Sequence, residues 1–472
     1  MNMRIWLAAG LALVALPVQA LGLLDAYMAA REYDPLYRSA WQARQAGLQE
    51  EKIARSQLLP KADVSYSHNR NWLHQDVYSP VTGQETSASN SNYPSYVGRV
   101  ELRQPVVNLQ AWAGYRQGQA QSQLAEAEFD DRHQELMLRL YEGYADALLA
   151  RDQVAIAEAR QIAYEERMRA NERMFKAGEG TRTDMIETRS RYDVAVAEVI
   201  AARGELGNAV RALGAMVGPG RVRNVSELDQ LVPGFRPLEM QPADVDSWVR
   251  LGLGGNAQVV ARRLGVKAAD ANIDRQRSGH YPTVDVVASY SLDEADSVST
   301  INQRNRRGTI GVQLRVPLYA GGGTNARTTQ AVAQHEKALA DLDAAVNGVE
   351  VELRRQFDLI ESNATKIRAL EQAVESATLL VEATRRSVEG GVRVNLDVLN
   401  AEEQLYTSRR DLAQARYDYL DAYMRLRYYA GVLTIDDLEA VARYFAAPGS
   451  ARSRAVPAGA GAPSVVRTSN AG

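Results

Sequence analysis

The sequence predicts an α+β membrane protein that is built from two copies of one long module. Two long helical patterns, at residues 111–176 and 324–388, contain no proline. Four shorter segments alternate between apolar and polar residues, as amphipathic strands do. The order helix, two strands, long helix, bend and helix occurs twice along the chain. These observations favour long helices and paired strands over an ordinary globular domain.

The composition excludes several classes of function. The chain has 472 residues, no cysteine and a net charge of −3. It therefore has no disulfide, no thiolate nucleophile and no cysteine metal site, and its charge gives no electrostatic case for nucleic acid. The 5 histidines are scattered without a ligating spacing, whereas tyrosine numbers 22 against 5 phenylalanines. Tyrosine has an apolar body and a polar tip, which suits membrane interfaces.

Residues 1–20 are typical of a signal peptide. Arg4 supplies the charge, an apolar run follows, and Val18, Gln19 and Ala20 form a small-residue cleavage site. The alternative is a membrane anchor, but the run is too short to span about 30 Å of hydrocarbon. No cysteine follows the signal, which excludes an N-terminal lipid anchor. We therefore expect an exported protein without a transmembrane helix.

The first copy of the module begins with a helical pattern at 21–58, which Pro60 ends. Residues 61–68 then alternate in the manner of a strand, residues 79–94 are polar and predict an exposed loop, and residues 96–105 alternate again.

The long helix at 111–176 leads to a bend and to a second helix at 183–213. Proline and glycine then interrupt the pattern over residues 217–241, which predicts an irregular connection. The first copy of the module is thus assigned to residues 21–216.

The second copy is assigned to residues 242–431 and follows the same order. A helix leads to strands at 283–293 and 310–318, with a polar loop at 294–307 between them. Apolar residues recur at spacings of three and four along the helix at 324–388, which favours coiled-coil packing. After the bend a helix runs to about Tyr429.

Two short segments complete the chain. Residues 432–446 form a C-terminal segment, and the tail at 447–472 is rich in Ala, Gly, Pro, Ser and Arg. A tail of that composition is predicted to be disordered.

Three pairs of segments support an internal duplication. LPKADVSYS at 59–67 matches YPTVDVVASYS at 281–291, and VELRQPV matches VQLRVPL. The bend AGEGTRTDMIE at 177–187 matches GGVRVNLDVLNA at 390–401. Long helices alone resemble one another, but matched strand ends and matched bends favour a true repeat.

The four amphipathic strands cannot form a membrane barrel alone. In lipid every backbone polar group must be paired, so the strands must belong to a closed barrel, and the smallest membrane barrels have about 8 strands. Two, three or four chains would supply the strands. The helices have charged faces and must lie outside the lipid, so the arrangement predicts a helical conduit joined to a barrel.

The chain resembles the TolC-like outer-membrane channel-tunnels of Gram-negative bacteria over residues 21–445. The tandem repeat, the proline-marked strand ends and the segment GVRVNLDVLNAEEQLYTSRRDLAQARYDYL at 391–420 carry this resemblance. It implies a homotrimer in the cell outer membrane, with a 12-stranded β-barrel continuous with a periplasmic helical barrel. It also implies docking to an inner-membrane transporter through a periplasmic adaptor protein. The family serves type I protein secretion and drug efflux, and the missing cysteine favours the secretion branch.

The resemblance also implies a gate at the two bends. Arg393 matches an arginine that bonds to a Thr-Asp pair, here Thr183 and Asp184. Asp397 matches a ring of carboxylates that favours cations, whereas Asn400 replaces the second aspartate of that ring. Val388 likewise replaces a tyrosine that supports the closed state. The alternative is that Arg393 and Asp397 form only an i,i+4 pair on a solvated helix face.

Two other classes of protein, an enzyme and a coiled-coil scaffold, fit the sequence less well. The run of glycines at 321–323 resembles a phosphate loop, but it lacks the Lys-Ser/Thr of a P-loop and predicts a strand-to-helix joint. No catalytic or metal constellation is present, so neither an enzyme nor a cofactor is expected. A periplasmic coiled-coil scaffold explains the helices but not the four strands.

Overall fold

The computed structural model describes residues 21–222, 225–232, 234–295 and 303–446. The predicted signal peptide and the predicted disordered tail lie outside these residues. Of the helices described, none combines the length and the hydropathy that crossing a membrane requires.

The first predicted helix is in fact two helices, α1 (Leu23–Tyr33) and α2 (Pro35–Ser56). Pro35 has no backbone N–H, so it cannot donate to the carbonyl four residues earlier, and the first helix ends. The Asp34 carboxylate then accepts the backbone N–H of Leu36 at 3.2 Å and caps the second helix. The prediction of one continuous helix at 21–58 was therefore wrong at this proline.

The first two strands are longer than predicted: β1 covers Lys61–Tyr78 and β2 covers Glu85–Val107. The predicted loop at 79–94 therefore shrinks to residues 79–84. Backbone pairing continues beyond the apolar segment, with Arg70 opposite Pro94. Alternation revealed only the part of the hairpin that has an apolar face, because a strand with two polar faces has no period-two signal.

The long helix α3 (Leu109–Ala177) and its partner α4 (Arg182–Val217) match the predicted helices within a few residues. The predicted irregular connection contains a short 3₁₀ turn and a two-residue strand, β3 (Gln230–Leu231).

The second half opens with α5 (Val245–Gly255) and α6 (Ala257–Arg277), followed by β4 (Thr283–Ala295) and β5 (Gln303–Arg315). Strand β5 begins inside the predicted polar loop and ends before Pro317, which has no N–H to donate to a neighbouring strand.

The chain continues with α7 (Gly323–Glu389), α8 (Asn395–Tyr429), α9 (Ile435–Ala442) and the two-residue strand β6 (Phe445–Ala446). The predicted boundaries of the two long C-terminal helices lie close to the observed ones.

The four long strands form one antiparallel sheet in the order β1-β2-β4-β5. The hairpins of the two repeats thus meet through β2 and β4, and β1 and β5 are the outer strands. Val100 lies opposite Val64 and Tyr290, whereas Glu101 lies opposite Asp63 and Ser289. One face of the sheet is therefore apolar and the other is polar, as the alternation predicted.

The polar face carries an ion-pair network. The Arg103 guanidinium donates to Glu101 at 3.1 Å and to Asp285 at 3.4 Å, and it also donates to Gln313 at 3.3 Å. Since these residues come from β2, β4 and β5, the network connects both repeats on a surface suited to water.

The chain divides into two compact units. The first comprises the described residues of Met1–Ala40, Asp131–Asn256 and Val349–Gly472, and the second comprises Trp41–Asp130 and Ala257–Gly348. The sheet belongs to the second unit and the two bends to the first. Each unit contains segments of both predicted repeats.

Two tyrosines of the first unit have hydrogen-bonded hydroxyls: Tyr144, which is buried, and Tyr428, which is half-buried. The Tyr144 hydroxyl donates to the Leu21 carbonyl at 3.0 Å and accepts the Asp229 backbone N–H at 2.9 Å. The Tyr428 hydroxyl donates to Asp131 at 2.9 Å. Paired hydroxyls allow these large rings to be buried without an unsatisfied polar group.

Candidate functional site at the two helical bends

The backbone has the same conformation at the two predicted bends. Gly178 follows α3 with φ of 78°, and Gly391 follows α7 with φ of 72°. Both lie in the left-handed region that favours glycine, and both end a long helix. The sequence alignment of these two glycines therefore corresponds to a shared conformation.

Replacing Gly391 with alanine tests the need for this conformation. Nothing lies within 4 Å of a Cβ at this position, so the cost is backbone strain alone, about 1 kcal/mol. We expect a lower thermal midpoint of the assembled protein at fixed concentration. Gly390→Ala is the matched control, because its φ is not positive and its Cβ would meet only ordinary contacts. An equal loss in both variants would contradict the role of the left-handed turn.

The two bends begin their second helices differently. At the start of α4 the Thr181 side chain accepts the Asp184 N–H at 3.1 Å, and its hydroxyl donates to the Asp184 carboxylate at 2.6 Å. At the start of α8 the cap position is Val394, whose side chain forms no hydrogen bond. Asp397 lies in the first turn of α8, where a negative charge favours the helix N-terminus.

Thr188 joins the two bends within one chain. This α4 residue is 0% exposed. Its hydroxyl donates to the Asp184 carbonyl at 2.6 Å and accepts the Asn171 amide of α3 at 2.7 Å. The amide of Asn395, at the start of α8, lies 3.4 Å from the same oxygen. One hydroxyl thus uses its donor and both acceptor positions to hold three helix ends together.

The structure places the predicted gate residues around this junction. Arg393 and Thr183 are exposed, and Asp184 is half-buried and bonded to Thr181. Among the described residues, the Arg393 side chain has no hydrogen bond or ion pair, either with the first bend or with Asp397. Its pairing with Thr183 and Asp184 stays a prediction, and the guanidinium is exposed.

Asn400 has a partner that the sequence did not identify. The Arg191 guanidinium of α4 donates to the Asn400 side-chain oxygen at 3.4 Å. Val388, the other predicted departure, is half-buried, and its carbonyl accepts the Gly391 N–H at 3.0 Å. Val388 therefore lies in the last turn of α7, and Asn400 lies in the second turn of α8.

A buried carboxylate that the sequence did not identify lies next to the predicted gate residues. Glu402 of α8 is 2% exposed. It accepts from Arg385 of α7 at 2.7 Å and from Arg167 of α3 at 3.4 Å. The hydrogen bond to Glu402 raises the pKa of Arg385. One carboxylate thus binds three helices through charge-assisted bonds.

Glu403, the next residue, points about 100° away around α8 and contacts other side chains. It pairs with Arg160 of α3 and accepts the Tyr164 hydroxyl at 3.1 Å. Arg191 of α4 lies 3.8 Å away. Burial raises the pKa of Tyr164 to about 12, so this hydroxyl remains a donor at neutral pH.

Apolar contacts surround these charges. Leu399 packs with Tyr164 and Ala195, which brings α8 against α3 and α4. A second cluster of small and aliphatic residues joins α7 to α8: Ala377, Val381, Ala401 and Leu405. The polar pairs therefore lie in a packed helix interface and not on an open surface.

The arrangement can hold helix ends together and present charge, but it shows no catalytic chemistry. The described residues contain no group of histidine, cysteine or acidic side chains that could hold a metal ion. The exposed cation at Arg393 and the half-buried carboxylate at Asp397 lie at the tip of the bends.

Solved structures with this fold are outer-membrane channels. The outer membrane protein VceC of Vibrio cholerae superposes with a TM-score of 0.73 at 18% identity, covering 87% of this chain and 96% of that one. The Campylobacter jejuni CmeC outer membrane channel superposes with a TM-score of 0.76 at 14% identity, covering 94% and 98%. The chain therefore has the fold of these two outer-membrane channels.

A model of the family described as "Outer membrane efflux protein" matches residues 26–219 and 248–432. The chain belongs to this family. Its two matched stretches fall on the two predicted repeats.

Three relatives are similar to the chain over most of their length. The alkaline protease secretion protein AprF of Pseudomonas aeruginosa is 40% identical, covering 90% of this chain and 88% of that protein. The proteases secretion protein PrtF of Dickeya chrysanthemi is 38% identical, covering 90% and 92%. The outer membrane protein TolC of Escherichia coli is 27% identical, covering 90% and 85%.

These findings confirm three predictions from the sequence. The family is the predicted one, the fold class is that of a TolC-like channel, and the location is the outer membrane, with the helical part in the periplasm. Members of the family are transport channels.

Proposed function

We propose that the chain is the outer-membrane exit channel of a type I system that secretes proteases. The observation that carries this proposal is the similarity to two proteins named for protease secretion, at 40% and 38% identity over 90% of the chain. The TolC proteins stand at 27%, and the cation efflux system protein CusC at 21% over 60% of the chain. The higher sequence identity to the protease secretion proteins favours secretion over small-molecule efflux.

The sheet supports assembly into a homotrimer. Its outer strands β1 and β5 have no further partner strand among the described residues. An unpaired edge is unfavourable in lipid, because each free N–H and C=O lacks a partner there. Three copies would supply twelve strands and close the barrel, with the apolar face toward lipid and the Arg103 network toward water.

We propose that the two bends form the periplasmic gate of this trimer. Arg393 would pair with Thr183 and Asp184 of an adjoining bend, and Asp397 would contribute a carboxylate to the entrance. The exposure of Arg393 and the absence of a partner for it among the described residues support this pairing. Asn400 removes one carboxylate from the entrance and instead accepts from Arg191.

The proposed channel works with two partners. A periplasmic adaptor and an inner-membrane ABC transporter would deliver the cargo to the channel. Outer-membrane lipid surrounds the barrel, and no nucleic acid is involved.

Deleting the gene in its host tests the proposal. We expect extracellular protease activity to fall to the background level and to return on complementation, while protease accumulates in the cell. Minimum inhibitory concentrations of drugs are measured in the same strains. Unchanged protease secretion together with lower drug resistance would overturn the secretion assignment in favour of an efflux duct.

A further inference from the structure

Basic side chains lie on the apolar face of the sheet, at the end farthest from the helices. Both hairpin connections, β1 to β2 and β4 to β5, lie at this end, whereas α2, α3, α6 and α7 join the strands at the other. Because the helical part is periplasmic, the hairpin end is the outer end of the sheet.

The strand register defines where the apolar band stops. Ala288 lies between Leu102 and Ile310 in one apolar row. Two rows farther toward the hairpins, Leu292 lies opposite Arg306. From Val284 to Leu292 the band is about 26 Å long along the strand at 3.3 Å per residue. Because barrel strands tilt by about 35–45°, this length corresponds to about 19 to 22 Å of height, slightly less than the band of about 25 Å found in outer-membrane barrels. Arg306, opposite Leu292, therefore lies close to the outer border of the hydrocarbon.

Two basic side chains at or beyond this border have no carboxylate partner. Arg306 lies in the row of Tyr66, Gly98 and Leu292, and Arg70 lies four residues farther along β1, opposite Pro94. Arg306 is exposed and forms no hydrogen bond or ion pair among the described residues. Arg70 donates only to the neutral side-chain oxygen of Asn92, at 3.0 Å. Arg304 differs, because Glu294 neutralises it through bonds of 2.8 to 3.0 Å. The border thus keeps a net positive charge.

Arg306 differs from the next residue, also an arginine, in the face of the sheet on which it lies. Arg307 lies opposite Ser291 on the polar face, in the same row as Arg99. A cation on that face is solvated, whereas a cation on the lipid face at the border of the hydrocarbon is costly unless an anion lies beside it. A negatively charged group beside Arg306 on the lipid face would therefore stabilise this arginine.

We propose that Arg306, together with Arg70, binds the phosphates of the phosphorylated glycolipid that forms the outer leaflet of the outer membrane. A guanidinium matches a phosphate with two parallel hydrogen bonds. The proposal rests on the proposed outer-membrane trimer, in which β5 of one copy adjoins β1 of another. That pairing places β5, which carries Arg306, beside a β1 strand that carries Arg70, so the outer part of the barrel would carry three copies of each arginine.

The test measures lipid A that copurifies with the detergent-extracted full-length protein. Each basic residue near an anionic surface favours binding about five-fold, so Arg306→Glu is expected to retain at least about five-fold less lipid A than wild type. Arg307→Glu, the same charge change one residue away, is expected to retain the wild-type amount. Equal retention in wild type and Arg306→Glu, or equal losses in both variants, would overturn the proposal.

Lipid exchange identifies the ligand. Delipidated wild-type protein is incubated with lipid A, with dephosphorylated lipid A, and with phosphatidylglycerol vesicles. Preference for phosphorylated lipid A supports the proposal, whereas equal binding of the dephosphorylated form, or equal competition by phosphatidylglycerol, refutes it. The lipid-exchange experiment uses only wild-type protein, so it tests the proposal even where Arg306→Glu fails to insert into the membrane.

Assembly is measured separately by heat-resistant oligomer bands and by protease secretion. If the wild-type protein forms no oligomer, the proposed trimeric channel itself is wrong. A trimer that secretes normally but binds lipid A without regard to its phosphates defeats only the glycolipid site.

Discussion

Glu402→Ala is expected to destabilise the assembled protein by about 2 to 3 kcal/mol. The substitution removes the shared acceptor of Arg385 and Arg167 and leaves two like charges facing each other. The full cost of an unpaired buried ion does not apply, because the side chains of Arg385 and Arg167 are 51% and 20% exposed and regain water. The measurement is the shift in the denaturation midpoint at fixed protein concentration.

Two further variants separate this effect from general damage. Glu382→Ala removes an exposed i,i+4 pair with Arg386 on the same helix pair and is expected to cost under about 0.5 kcal/mol. Arg385→Ala combined with Glu402→Ala is expected to cost less than the sum of the single changes, because the two residues share one interaction. Additive losses, or equal losses in the Glu382 and Glu402 variants, would contradict a clamp centred on Glu402.

The fold was largely predictable because its main signals are periodic. The helix at 324–388 and the apolar halves of the strands follow from spacing alone, and the observed elements lie close to them. The outer part of the first hairpin was missed because Arg70 and its neighbours pair through their backbones without an apolar face. The break at Pro35 was missed because the helical composition continues through it.

The site was less predictable, since its contacts join residues far apart in sequence. The matched glycines located both bends, and the shared left-handed turn follows from them. Glu402 and Arg167 are separated by 235 positions, and no local pattern indicates such a pair. The only available signal was the adjacent pair Glu402 and Glu403 inside an apolar helix pattern, since consecutive residues point about 100° apart on a helix and reach different neighbours.

Arg393→Ser is expected to raise the single-channel conductance of the trimer in planar bilayers. In the proposed gate each Arg393 holds Thr183 and Asp184 of an adjoining bend, and a partly wet ion pair contributes only about 1 kcal/mol. Three pairs that break together contribute about 3 kcal/mol, which corresponds to about a hundred-fold change in the ratio of open to closed channels. A gate of that strength stays shut alone and still yields to an adaptor.

The partner side of the pair requires a more careful substitution. Asp184 also accepts the Thr181 hydroxyl at the start of α4, so Asp184→Ala would remove this hydrogen bond together with the charge. Asp184→Asn keeps an oxygen for Thr181 and removes only the charge. We expect Asp184→Asn to raise the conductance in the same direction as Arg393→Ser, and the double variant to add little to either.

Arg386→Ser is the matched control for the conductance measurement. Arg386 lies in the last turn of α7, where it pairs with Glu382 at the exposed surface, so its loss changes the local charge equally without touching the proposed pair. Its conductance is expected to equal that of wild type. Wild-type conductance in both Arg393→Ser and Asp184→Asn would remove the ion pair from the gate. The Glu402 clamp and the Thr188 junction would then be the contacts that hold the bends together.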